Sequence, residues 1–176
     1  MAQTVHLWLA IDGVDIEGES TVSSLDREDT IECSSFYYGV EVPLDASSGG
    51  MYDTSSGGMY DTSSGGMTGD RRHSAVKIQK RIDKSTPLLL KALCENEPVS
   101  SAEFRFYRPS PRDGRVEHYY TVLLQGGFIA GVRQVSEAPF KGGVEAPPMM
   151  EEVVFVFETI TWTYEHGRVT YEDSRR

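Results

Sequence analysis

The sequence predicts a mainly β chain, a β-barrel with one flanking α-helix. Three observations lead there. Apolar residues alternate with a period of two over most of the chain, glycine, proline and aspartate punctuate these runs at short intervals, and one segment alone has helical spacing. The chain has 176 residues, enough for one domain with a sizeable core and no need of disulfides or metals.

Val5, Leu7, Leu9 and Ile11 alternate with His6, Trp8 and Ala10 and read as the first strand, which the turn signal Asp12-Gly13 closes. Thr30 to Val42 reads as the next. Val76, Ile78 and Ile82 then alternate with Lys77, Gln79 and Arg81. A helix follows over Ser85 to Asn96, where Ser85 or Thr86 caps the first amides and Pro87 suits the first turn. Leu88, Leu89, Ala92 and Leu93 form its apolar stripe, which suits a helix plugging one side or end of a barrel. Phe104 and Phe106 alternate with Arg105 and Tyr107, and Pro109 to Gly114 supplies a turn. His118 to Gln125 and Phe128 to Val135 read as two strands around the turn signal Gln125-Gly126-Gly127, with a Pro/Gly-rich stretch from Ala138 to Pro148 beyond them. The total is about seven or eight strands.

The last segment, Glu151 to Asp173, is the most informative. It reads as a long strand, bending near His166 and Gly167, with one face carrying Val153, Phe155, Phe157, Thr159, Thr161 and Thr163. The other face carries Val154, Val156, Glu158, Ile160, Trp162 and Tyr164. A strand apolar on both faces needs cover on both, and a second copy of the chain is one source of it.

Composition narrows the function. Seventeen basic against 27 acidic residues give a net charge of −10, which argues against unaided binding to nucleic acid or an anionic membrane. Cys33 and Cys94 lack CxxC spacing and a nearby histidine pair, so buried free thiols are expected, without zinc or a disulfide framework. The N-terminal apolar run is short and lacks a basic start, so neither a signal peptide nor a membrane span is expected, and synthesis is expected in the cytoplasm. His6, His73, His118 and His166 are scattered outside any HExxH or GxSxG arrangement. Glu151-Glu152, and Glu17 with Glu19, fail as paired carboxylates, since adjacent strand residues diverge and loop acids are solvated. Gly69 to His73 reads as a solvated basic loop edge. No enzyme and no cofactor are expected.

An internal repeat stands out: SSGGMYDT at Ser47 to Thr54, again at Ser55 to Thr62, then SSGGM at Ser63 to Met67. Its serine and glycine bury little, so residues 43–72 read as an extended flexible loop on a single domain spanning 1–176. One reading is a slippage-type duplication, tolerated because long loops add little closure entropy. The other keeps Met51, Tyr52, Met59, Tyr60 and Met67 as contacts that order against a partner.

Several blocks together resemble a known family. They are Gly18 to Ser20 (GES) before the strand at Ile31-Glu32, IDKSTPLLLKAL (Ile82 to Leu93), FRFYRPSP (Phe104 to Pro111), HYYTVLLQGGFIAGVRQV (His118 to Val135), and the C-terminal segment from Glu151. In this order, over nearly the whole chain, they resemble the hemolysin-coregulated protein, Hcp, of bacterial type VI secretion systems. The resemblance implies a compact β-barrel of two packed sheets with one flanking α-helix. It implies a homohexameric ring, with rings stacking into the inner tube of a contractile injection machine. Its implied partners are copies of itself, sheath, spike and baseplate proteins, and small effectors carried in the lumen, with export needing no signal peptide. Glu32, Ser34, Ser35 and Tyr37 match the family's lumen-bordering strand, and the loop from Val42 to about Arg72 matches the extended loop that reaches the adjacent ring. Met51, Tyr52, Met59, Tyr60 and Met67 would then lie where rings stack, and Phe155, Phe157, Ile160, Trp162 and Tyr164 where subunits meet within one. A chain stopping soon after its last strand is expected to lack a C-terminal toxin domain. The alternatives are a phage-type tail tube protein, separable by genomic neighbourhood, a small-ligand-binding β-barrel, and, more remotely, a hydrolase using His118 or His166.

Overall fold

Six antiparallel strands close on themselves in the larger of the two units into which the chain divides, Met1–Tyr37 with Val76–Arg176. The second unit is Tyr38–Ala75. The computed structural model describes residues 3–42, 60–61, 66–67, 71–135 and 148–174. In the larger unit the elements are β1 (Thr4–Ile11), β2 (Val14–Ile16), β3 (Ile31–Tyr37), β8 (Val76–Arg81), α1 (Thr86–Glu95), β9 (Val99–Pro109), β10 (Val116–Val135), β11 (Met150–Tyr164) and β12 (Val169–Ser174). The smaller unit has β4 (Val40–Glu41), β5 (Tyr60–Asp61), β6 (Gly66–Met67) and β7 (Arg72–His73).

Around the barrel the order is β10-β9-β1-β3-β8-β11, and β11 pairs back with β10. Closure leaves the six staves without a free edge. Two further strands lie outside the closed circuit: β2 pairs with β1, across the Asp12-Gly13 turn, and β12 pairs with β11. The interior is filled by Leu7, Ile31, Ile78, Phe104, Leu124, Phe155 and Ile160, all buried, so it is a packed core.

The core face changes parity along the longest strands, which corrects the strict alternation expected from sequence. In β11, Val153, Phe155 and Phe157 point inward, but so does Ile160 from the opposite set. The matching change in β10 runs from Leu124 to Ile129 across Gly126 and Gly127, at φ +62 and +143. A Cβ at Gly127 would sit 2.0 Å from the Val156 carbonyl oxygen, so the two strands approach here closely enough to require glycine. The predicted turn is therefore a bend inside one 20-residue strand. In β9, Phe104 and Phe106 keep the alternation and both pack on Phe36, while Tyr107 is buried on the opposite face, with His6 edge-on and the Arg27 guanidinium over its ring.

The helix α1 packs beside β10 and buries Leu89 and Ala92; Leu88 is exposed, so the stripe is narrower than expected. Its N-terminus is also held differently. Ser85 caps nothing with its side chain; Asp83 Oδ1 instead accepts from the Ser85 amide at 2.9 Å and from its hydroxyl at 2.5 Å. Cys33 is buried as expected, whereas Cys94 is exposed on α1, since it falls outside the stripe. The GES segment gains a physical reason too. Gly18 donates its amide to Asp29 O at 2.7 Å, and a Cβ there would lie 2.4 Å from Thr30 O.

In the smaller unit, β4 pairs with β7 through Val40↔His73 and Glu41↔Arg72, and β5 pairs with β6 through Tyr60↔Met67. The strand expected from Thr30 to Val42 thus ends at Tyr37, and Arg72-His73 is strand rather than loop edge. No helix among the described residues is long and apolar enough to cross a membrane.

Candidate assembly surfaces

The residues matched to a lumen-bordering strand share one face. Ile31 and Cys33 of β3 point into the core, while Glu32, Ser34, Ser35 and Tyr37 are all exposed. Ser34 and Ser35 both point outward because the β3–β8 register shifts between Cys33 and Ser35, a bulge that spends one residue without changing sides. Ser34 Oγ donates to Gln79 O at 3.1 Å. Beside this face opens a cleft of about 320 Å³, lined by Glu19, Glu32 and Asp83, with Arg81 among them.

The five residues expected where subunits meet divide into two groups. Phe155, Phe157 and Ile160 are 0–3% exposed and belong to this chain's own core, so their side chains are unavailable to a neighbour. The backbone of β11 is taken as well: it pairs with β10 along its length and with β8 and then β12 on its other side. An interior strand cannot meet a neighbour edge to edge, which corrects that part of the expectation. Trp162 is half-buried and Tyr164 exposed, and they continue the inward face past the barrel's end. Trp162 stacks on Tyr171 of β12 at 5.9 Å, and Val169 lies opposite Tyr164. Tyr171 is 65% and Val169 69% exposed. Sequence reading missed these two, since β12 is short and mixed in polarity.

Of the residues expected at ring stacking, Met51, Tyr52 and Met59 lie outside the described residues. Tyr60 and Met67 are opposite each other in the β5–β6 pair.

Sequence reading also missed a buried charge cluster, because Lys80 looks like an ordinary strand lysine. Lys80 follows Val76 and Ile78 on the inward face of β8 and is 1% exposed. Its Nζ donates to Glu151 Oε1 at 2.7 Å, to Asp83 Oδ1 at 2.8 Å and to Arg81 O at 2.8 Å. Thr86 Oγ1 donates to Glu151 Oε1 at 2.7 Å, tying the helix start to β11. Two carboxylates, one ammonium and a hydroxyl thus join β8, α1 and β11, with the single ammonium shared by both carboxylates.

The histidines hold structure together. His118 Nε2 lies 2.8 Å from Thr121 Oγ1, whose hydroxyl donates to Glu165 Oε1 at 2.5 Å. Having spent its one proton on Glu165, Thr121 accepts from His118, so the imidazole is a donor there and no base to that hydroxyl. Burial lowers the His118 pKa. His166 Nε2 lies 3.2 Å from Glu117, whose carboxyl is held below its usual range by the hydrogen bond from Arg108.

Comparison with known proteins accords with this barrel. The family model described as type VI secretion system effector, Hcp, matches residues 8–164. The major exported protein of Pseudomonas aeruginosa is 36% identical over 150 residues, covering 85% of this chain and 77% of that protein. Among solved structures, the Hcp1 protein of the E. coli EAEC 042 pathovar superposes with a TM-score of 0.76 at 29% identity, over 98% of this chain and 99% of that one. The secreted protein Hcp3 of Pseudomonas aeruginosa shares the fold, with a TM-score of 0.71 at 24% identity over 99% of both chains. With a closed barrel, one flanking helix and a family match spanning nearly its whole length, this chain belongs to the Hcp family of type VI secretion proteins.

Proposed function

We propose that the chain is the tube subunit of a type VI secretion system, forming hexameric rings that stack into an inner tube and carry small effectors through the lumen. The observation that carries this reading is a barrel that leaves its work to its outside. Its interior is filled by its own side chains, and its staves are closed. What remains exposed is a polar face on β3, suited to a wet channel, and the side chains of Tyr164, Val169 and Tyr171 at the end of β11 and on β12, suited to a neighbouring subunit. Glu32, Ser34, Ser35 and Tyr37 border the lumen in this reading, and the segment holding Met51, Tyr52, Met59, Tyr60 and Met67 makes contact between rings. The role is mechanical: sheath contraction on a baseplate drives the tube and its spike outward, with no bond chemistry. Native mass spectrometry, followed by electron microscopy of particles viewed down their axis, tests it. A hexameric mass with annular particles is expected; a monomer at high concentration overturns it.

A further inference from the structure

Residues 17–30, between β2 and β3, form a strap over the outer face of β1 and β9. Beneath it lie two side chains that point away from the core and are nonetheless buried, His6 of β1 and Tyr107 of β9. The strap supplies their cover: Thr30 Oγ1 lies 2.9 Å from His6 Nδ1, and the Arg27 guanidinium sits 4.6 Å over the Tyr107 ring. Arg27 is itself buried and donates to Ser24 from Nε and Nη2; among the described residues no carboxylate pairs with it. The backbone of the strap is bonded to itself, Gly18 N to Asp29 O, Ser20 N to Thr30 O and Asp29 N to Ser20 O, whereas β1 and β9 are each paired on both sides within the barrel. Leu25, Asp26 and Asp29 adopt left-handed backbone at φ +57, +56 and +57, a strain that persists only while the strap is held down. The ion pairs of Lys84 with Glu17 and Asp29, which also tie the strap to the start of α1, are exposed and weak.

We propose that this segment is an acid-released strap: protonation of His6 lifts residues 17–30 from the outer face of β1 and β9 while the barrel stays closed. His6 donates from Nδ1, because Thr30 has given its hydroxyl proton to Arg27 O, and Nε2 has no hydrogen-bond partner. A proton added at Nε2 therefore makes a buried cation whose new N–H meets no acceptor. The surrounding groups do not offset that charge. The strap brings the Arg27 cation. From β9 come Tyr107, edge-on, and Arg105, opposite His6 in register, whose guanidinium rests on Trp8 and is paired with Glu103. On β3, Glu32 is opposite His6 in register but exposed and lines the cleft; on β10, His118 stands 5.3 Å from the Tyr107 ring, with Glu165 3.7 Å from its Nε2. Burial, and then Arg27, lower the His6 pKa from 6.5 to about 4, so the strap is fully held above pH 6.5 and loosens as the pH falls toward 4. Glu19, Ser20 and Thr21 of the strap line the cleft of about 320 Å³ together with Glu32 and Ser34, so release widens that cleft on the β3 face. The face borders the lumen only on the tube reading above; the strap itself does not depend on that reading.

Hydrogen exchange of the full chain, read by mass spectrometry at pH 7 and pH 4.5 and corrected for the intrinsic pH dependence of exchange, tests this. In wild type, protection of the peptide holding residues 17–30 is expected to fall about fiftyfold at the lower pH, while peptides from β1, β9 and β11 keep theirs. A strap that stays protected, or one that loses protection together with the barrel strands, overturns the proposal from wild type alone. His6→Gln and His6→Leu, checked for fold by circular dichroism, then assign the titrating group. Leu cannot titrate and leaves the Thr30 hydroxyl donating to Arg27 O. Either variant is expected to keep the strap's protection nearly equal at the two pH values; a fall as large as in wild type would assign the release to another group and sink the role of His6. The tube reading is judged separately by the mass at pH 7, so either can fail while the other stands.

Discussion

His6 shows how one side chain can carry a polar cost when it is buried on the outer face of a barrel strand. It is fully buried, with Nδ1 2.9 Å from Thr30 Oγ1 and the Tyr107 ring edge-on at 5.6 Å. Thr30 spends its hydroxyl proton on Arg27 O, so His6 must donate from Nδ1, while Nε2 has no hydrogen-bond partner. Burial, and then the Arg27 charge, lower its pKa from 6.5 to about 4. Between those values the unfolded chain binds a proton that the folded chain refuses, so stability is complete above pH 6.5 and falls as the pH drops toward 4. The loss reaches about 3 kcal/mol. Urea unfolding at pH 7 and pH 4.5 is expected to show a smaller difference in a His6→Gln variant than in wild type; an equal difference would assign the acid sensitivity to other groups. The thiols differ as sharply. Burial pushes Cys33 up to about 12 despite the opposing Lys80 charge, whereas Cys94 is exposed. Iodoacetamide is expected to modify Cys94 in the folded protein and Cys33 only after denaturation, which peptide mass mapping reads directly.

Between elements, the critical points are where long strands change face and where the helix joins the barrel. At the bend, Gly127→Ala would force a Cβ to 2.0 Å from Val156 O, a backbone atom that cannot swing away. A loss of more than about 2 kcal/mol is expected from urea unfolding, beyond the usual cost of placing a side chain at positive φ. A near-neutral result would mean the two strands can separate there. At the junction, Lys80→Met leaves the Glu151 and Asp83 carboxylates without their shared cation. Breaking one side of such a buried cluster costs about 3–5 kcal/mol, whereas removing both sides with apolar residues can cost little. Lys80→Met with Glu151→Leu is therefore expected to be more stable than Lys80→Met alone, and a double variant no better than the single would refute the unpaired-charge account.

At the scale of the whole molecule, the proposed assembly divides two tasks. The closed barrel secures the fold within one chain, and the surfaces outside the circuit are free for neighbours. In that proposed assembly, ring formation and ring stacking are separable. Replacing residues 47–67 by a short Gly/Ser turn is expected to leave ring mass unchanged while altering the length of stacked particles seen by electron microscopy. Loss of the ring itself would contradict the assignment of this segment to stacking.

Much of this was legible in the residues alone. Period-two runs, turn signals and the capped Pro87 helix determine a β-barrel with one helix, because burial of an alternating strand and of a helical stripe are local consequences of side-chain direction. The ordered blocks from Gly18 to the C-terminal segment identify the family. What only the tertiary structure decided is which face of each strand is inside and which strand has a free edge. Alternation shows that faces differ, yet a bend at Gly126-Gly127 or a bulge after Cys33 exchanges them with no change in composition. Phe157 and Ile160, of opposite parity, both reach the core for that reason. Lys80 reads as solvated until the fold brings Asp83, Thr86 and Glu151 around it, and β11 reads as an interface until β8, β10 and β12 claim its edges. Edges and partners are properties of pairing between segments distant in the chain, which local periodicity does not encode.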